Sequence, residues 1–421
     1  MPLAVITILV ATATGRAAGP IGLWVPGPPM AEHPDYHTAV VLKDGRVLIL
    51  ALKAEVYDPV ANRWSTAGTP TLMRGSQTAT VLLDGRVLVT GGIDSATNRS
   101  VPTAEFYDPA TNTWAAAASM VGRRYDHTAT LLTDGRVLVA GGIRSTVLLD
   151  STEIYDPASN TWSPGPPLPS PRSGHAAALL PDGRVLVAGG NDASQPLASA
   201  DLYDPTSNRW SSTSSMAVAR STVVSILLKD GRVMAIGGIT GLPSSGPIAE
   251  VFDPDREVWS PAGSATQPVL HYGAATTILK DGRVLMTGGA SQSPMGDALP
   301  DGFVYDPRTD RWIPTNPMGQ GRVHHTASLL SDGRVLVAGG RDAQSNGTAF
   351  NTTEIFDVNA GAATSTPAAT PVGSSPTETP LQSLVARLLA TPLLAGGIAA
   401  VAVGLITAAL LRRRRRGSSG P

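Results

Sequence analysis

The chain has no cysteine, so neither a disulfide nor a thiolate takes part in its folding or its chemistry. Aromatic residues are scarce, at 5% of 421 positions, and where they recur at fixed spacing the recurrence carries information. Basic residues do not dominate. Of 32 Lys and Arg, six (Arg387 and Arg412 to Arg416) follow position 380, which leaves 26 against 33 acidic residues, a net of −7, for positions 1 to 380. Nucleic acid is therefore not an expected partner, because neutralising phosphates takes a basic patch. Several catalytic signatures are missing too: no Gly-x-Ser-x-Gly elbow, phosphate-binding glycine loop, His-Glu-x-x-His or EF-hand loop occurs. No cofactor and no metal site is expected.

What is present is a repeat. Asp-Gly-Arg occurs seven times, at Asp44, Asp84, Asp134, Asp182, Asp230, Asp281 and Asp332, each between two apolar runs. A period of roughly 40 to 50 residues is that of four-stranded propeller blades. Seven positions after the turn Asp stands a glycine pair: Gly91-Gly92, Gly141-Gly142, Gly189-Gly190, Gly237-Gly238, Gly288-Gly289 and Gly339-Gly340. An aromatic-Asp-Pro follows at Tyr57, Tyr107, Tyr155, Tyr203, Phe252 and Tyr305, and seven residues later comes Trp64, Trp114, Trp162, Trp210, Trp259 or Trp312.

Each landmark has a physical role. Asp-Gly between Val/Leu-rich runs supplies the positive φ values of a two-residue hairpin turn, joining strand a to strand b. The glycine pair ends strand b where missing Cβ atoms permit close approach. Asp-Pro favours the type I turn that closes strand c, and Trp opens strand d, its indole filling the gap between neighbouring sheets.

This order of turn, glycine pair, tyrosine and tryptophan resembles the kelch repeat over residues 22 to 358. The resemblance implies an all-β, seven-bladed propeller. Two units depart from it: Ala51 and Leu52 occupy the first glycine-pair slot, and no Trp follows Phe356-Asp357-Val358. An orphan Trp24 stands 20 residues before Asp44, the spacing that Trp64, Trp114, Trp162, Trp210 and Trp312 keep to their next turn. The N-terminal segment is thus expected to supply the outer strand that the last unit lacks, closing the ring.

The expected organisation is a signal peptide (1–19, without its usual basic start), the propeller (20–358), a stalk rich in Ala, Thr, Pro and Ser (359–380), a membrane anchor (381–411) and a basic cytoplasmic tail (412–421). Residues 388 to 411 carry no charge. That is long enough to cross about 30 Å of hydrocarbon at about 1.5 Å per residue. The following arginines place the tail inside and the propeller outside the cell.

The a–b and c–d turns share one face, and the b–c and d–a connections share the other. The b–c connections vary in length, and function concentrates in variable loops. Candidate contacts there are Asp94, Arg144, Asp192, Asp301 and Arg341. Thirteen residues after each Trp stand His37, Gln77, His127, His175, Val223, Tyr272 and His325, and ten after it Arg74, Arg124, Arg172, Arg220 and Arg322. The resemblance implies that the first of these sets lies near the mouth of a central channel. The competing reading is that groups recurring with the repeat pack its units together.

The expected role is recognition of an extracellular protein or glycan. The alternative is a carbohydrate-active enzyme, resembling the sugar-acid epimerases or a glycosidase, working in the channel mouth. The copper-radical oxidases of this architecture need a Tyr cross-linked to Cys, a mechanism that this composition closes.

Overall fold

The computed structural model describes residues 19–360, apart from 35, 241–247, 264–271, 291–295 and 344–347. The signal peptide, stalk, anchor and tail read from the sequence lie, but for their first or last residues, outside the described residues. No helix among the described residues is long and apolar enough to cross a membrane.

The described chain is all β, a propeller of antiparallel sheets. Seven of the sheets have four strands. In the second, Thr78–Val81 pairs with Val87–Thr90, which pairs with Ala104–Asp108, which pairs with Thr113–Ala117. The innermost strands of successive sheets lie against one another, and Thr326–Leu329 lies against Thr38–Val41, so the series returns to its start. Strand b is fully buried in every unit, as in Val137–Ala140, because it has a neighbouring strand on each side and a neighbouring sheet on each face.

The seventh sheet draws on both ends of the domain. Leu23–Pro26 runs antiparallel to Thr353–Asp357, with Trp24 opposite Phe356 and their ring centroids 4.7 Å apart. The Trp24 indole N–H donates to the Asn316 carbonyl of the sheet before it (2.8 Å). Most indoles repeat this staple: Trp114 donates to Ala67, Trp162 to Ala118 and Trp210 to Pro166.

The a–b turn corrects the sequence reading. Only its glycine is left-handed (Gly45 φ 87°). Gly45 N–H donates to Leu42 C=O (2.9 Å) and Leu42 N–H to Arg46 C=O (2.8 Å), a type I turn followed by a glycine bulge rather than a two-residue hairpin. Asp44 stays right-handed because its carboxylate accepts both the backbone N–H and the Nε–H of Arg46.

Candidate functional site

The strands just described set seven d–a connections around one axis. Each delivers one residue in the left-handed region: Tyr36 (φ 47°), Ser76 (52°), Asp126 (51°), Gly174 (58°), Thr222 (50°), Gly273 (68°) and His324 (56°). Two are glycines; the others carry a conformation that side chains disfavour, above all the β-branched Thr222. Main-chain hydrogen bonds run from one sheet to the next at this level, from Asp126 N–H to Ser76 C=O, Gly174 to Asp126, and His324 to Gly273. All but Gly174 border a cavity of about 300 Å³ at the channel mouth, with Tyr272, Ala274, His37 and His325.

The histidines lie one step deeper and act between sheets. His127 Nε2 meets Thr78 Oγ1 (3.1 Å) and Thr90 Oγ1 (3.2 Å) of the preceding sheet; His175 meets Thr128 (2.9 Å), His325 meets Thr287 (2.9 Å) and His37 meets Thr326 (2.9 Å). Burial holds these rings neutral: His37 falls to about 4, His127 and His175 to about 3, and His325 well below its ordinary value. The glycine pair exists for them. A Cβ on Gly91 would lie 2.5 Å from the Arg124 carbonyl oxygen and 2.7 Å from His127 Cε1, and Gly91 itself has φ 61°. Gln77 takes the same place with a donated bond to Leu50 C=O (3.2 Å).

Arg124 and Arg172 do not border the cavity at the mouth. They are buried inside their sheets, Arg124 on Glu153 (2.8 Å) and Arg172 on Asp201 (2.5 Å), and each also donates to a glycine-pair carbonyl. Arg74, Arg220 and Arg322 pair likewise with Glu105, Glu250 and Glu354. These carboxylates went unread in the sequence, although a signal was there: Glu or Asp stands two residues before the strand c aromatic in these units. The glutamates among them also accept backbone N–H groups of the d–a connection, as Glu153 does from Val121 and Gly122, and so fix its path.

Tyr272 also moves. It bridges Ala290 as Tyr125 bridges Ile143 and Val323 bridges Arg341, so its counterparts are Tyr125 and Val323, and Ala274 takes the place of the histidine. The cause is spacing: 22 residues separate Trp259 from Asp281, two more than in the other units. Tyr272 still reaches the mouth, edge-on to His324 at 5.0 Å.

Among the loop candidates, Asp94 and Asp192 close their own turns. Asp94 accepts Ala96 N–H (2.9 Å) and the Thr97 hydroxyl (2.7 Å), and Asp192 accepts Ser194 N–H, Ser194 Oγ–H and Gln195 N–H. Those bonds hold both carboxyls below their ordinary range. Arg144 lies exposed on the small hairpin of Ile143–Arg144 with Val147–Leu148, and Asp301 is exposed. Arg341 belongs to the mouth: its guanidinium lies over Tyr36 at 5.2 Å and donates to the Tyr36 hydroxyl (3.2 Å). The His324 imidazole stacks on the same tyrosine at 3.9 Å.

Beside the mouth the first sheet opens a notch. Its b–c connection is only Ala51 to Lys53, closed by Ala51 N–H to Lys53 C=O (3.3 Å), where the second sheet has residues 91 to 103. Pro34 stands where five other units have arginine. A cleft of about 500 Å³ results, walled by Glu32, His33, Leu52, Arg74, Ile93 and Ser95, and it shares Tyr36 and Ser76 with the mouth. Two large apolar side chains of its lining, Leu52 and Tyr36, are each about half exposed. Among the described residues no group of three His, Cys, Asp or Glu is placed to hold a metal ion.

A family model described as the KLHDC2/KLHL20/DRC7 Kelch-repeats domain matches residues 52–238. No curated protein matches the chain in sequence. Among solved structures, a fungal alcohol oxidase of the AA5 family, in complex with copper, is similar with a TM-score of 0.65 at 20% identity, over 81% of this chain and 76% of that one.

Proposed function

Since the chain belongs to the kelch-repeat β-propellers, we propose that it is a binding module whose seven sheets form seven blades, and that it recognises an extended segment of another protein along the notch and channel mouth. The observation that carries this is the continuity of the two cavities through Tyr36 and Ser76, produced by the loop missing from the first sheet. A cleft that offers exposed apolar side chains beside a few polar groups is the usual form of such a site.

A protein segment is favoured over a glycan because sugars stack on open aromatic faces, and the Tyr36 ring already stacks on groups of the protein itself. The His324 ring stacks on it at 3.9 Å and the Arg341 guanidinium lies over the same ring at 5.2 Å. The glycosidase alternative needs two carboxyl groups across the scissile bond. Asp126 is the one carboxylate among the described residues lining the mouth. Display outside the cell, on a stalk above one membrane span, rests on the composition of residues 359–416 alone.

Selection from a displayed peptide library tests the site. Replacing residues 51–53 by the sequence of residues 141–151 fills the notch, and peptides selected on the unaltered protein are expected to bind this variant at least tenfold more weakly. Equal affinity for both proteins overturns the assignment.

A further inference from the structure

We propose that the channel mouth is a receptor for a primary ammonium group, the side chain of a lysine in the bound segment, held by Asp126 with Ser76 and the tyrosine hydroxyls. This deepens the binding reading above and rests on it for the identity of the lysine's owner.

The argument begins with a charge that has no counterpart. Asp126 lies on the channel axis side of its sheet, open to solvent through the mouth. Its partner is the Ser76 hydroxyl, and no ion pair among the described residues involves it. The surrounding protein thins the water around the carboxyl and pushes it above its ordinary value, with Ser76 the one group that offsets this. A carboxylate in such a place gains most from a ligand that brings the missing positive charge.

The rest of the wall selects the kind of cation. An ammonium group has three N–H donors and no acceptor. Lining the same cavity are acceptors that can share them, the hydroxyls of Tyr36 and Tyr272, hydrogen-bonded to each other. His324, which also borders the cavity, is neutral, lowered to about 4 by burial first and by Arg341 second, and so brings no competing positive charge. Two deeper, almost fully buried rings that border the cavity, His37 and His325, are held neutral by burial in the same way. A planar guanidinium would meet Arg341 on the same wall, and that cation already occupies the Tyr36 face. A slender alkyl ammonium reaches the carboxylate from the opposite side.

The strained ring supports the same conclusion. Non-glycine residues held at positive φ gather where a site is preorganised, and Ser76 and Asp126 are two of them, joined by a main-chain hydrogen bond.

The test uses the whole propeller-bearing chain at pH 7.5 with n-butylammonium as probe and n-butanol as its uncharged control, read by the ultraviolet difference spectrum of the tyrosines. Butylammonium should give a saturable signal that butanol lacks; equal signals from both, on the unaltered protein, overturn the proposal. Asp126→Asn keeps a residue that tolerates left-handed φ and should weaken butylammonium binding at least tenfold. No weakening in a variant that melts like the parent also overturns it. In the selected peptides, acetylating one lysine should cost at least tenfold on the parent and little on Asp126→Asn. If butylammonium binds as expected but no peptide depends on the notch, the ammonium site stands and the protein-segment reading falls. Notch-dependent peptides indifferent to lysine acetylation, with no butylammonium signal, overturn the ammonium site and leave the protein-segment reading standing.

Discussion

A buried arginine illustrates how a repeated residue can mislead. Arg172 recurs ten positions after a tryptophan and lies fully buried, with its charge spent on Asp201 and Nη1 donating to the Gly189 and Ser199 carbonyls. Removing one member of such a pair strands the other charge out of water, and the loss is about 3–5 kcal/mol. Arg172→Met is expected to lower the unfolding free energy by that amount in urea titration. Arg136→Met, which breaks an exposed pair with Asp134, should cost no more than about 1 kcal/mol. Similar losses for both would show that the buried pair does not hold the d–a connection. The spacing of the arginines was legible in the sequence, and their burial was not, because the partner carboxylate belongs to another part of the repeat and only the folded sheet brings the two together. The same limit hid Tyr272: counting from Trp259 places it among the histidines, and an insertion of two residues in the chain ahead of it moves it by two positions.

Between elements, the repeated contact is a histidine of one inner strand against a threonine of the sheet before it. Burial depresses these histidines, so the unfolded chain, with His near 6.5, binds protons that the folded one refuses. Their stabilising contribution is whole above pH 6.5 and is lost as pH falls from 6.5 toward the folded values of about 3 to 4, at up to about 1.36 kcal/mol per pH unit for each ring. Unfolding free energy should therefore be level between pH 7 and 8 and decline below 6.5. His127→Gln copies the residue that the second sheet uses at this place, Gln77, and removes one titrating group. The difference between parent and variant should then shift by about 2 kcal/mol between pH 7 and pH 5; a pH-independent difference would show that His127 is protonated alike in both states. At this scale the sequence was largely readable, since strand, turn and glycine pair are local and periodic. The notch was half readable: the short first b–c connection stands in the sequence, whereas its continuity with the mouth depends on which sheets become neighbours.

For the molecule as a whole, stability depends on a contact between residues more than 300 positions apart. Leu23–Pro26 covers the edge of Thr353–Asp357, and Gly27 N–H, Met30 N–H and the Thr353 hydroxyl extend the seam, the first two to the carbonyls of Thr353 and Asn351 and the last to that of Pro28. Trp24 contributes its ring to Phe356 and its N–H to the preceding sheet. Without this strand the last sheet would expose a row of unpaired backbone groups and an apolar face, the two features that drive edge-to-edge association. Deleting residues 19–30 should abolish the single cooperative unfolding transition and bring aggregation, followed by light scattering during thermal denaturation. Moving the sequence of residues 22–30 to follow Val358 through a short turn supplies the same strand from the other end, in the connectivity that the other six sheets already use. That rearranged chain should recover a monomeric, cooperative fold. Its failure, with the deletion tolerated, would mean that the sheets hold their ring without the seam.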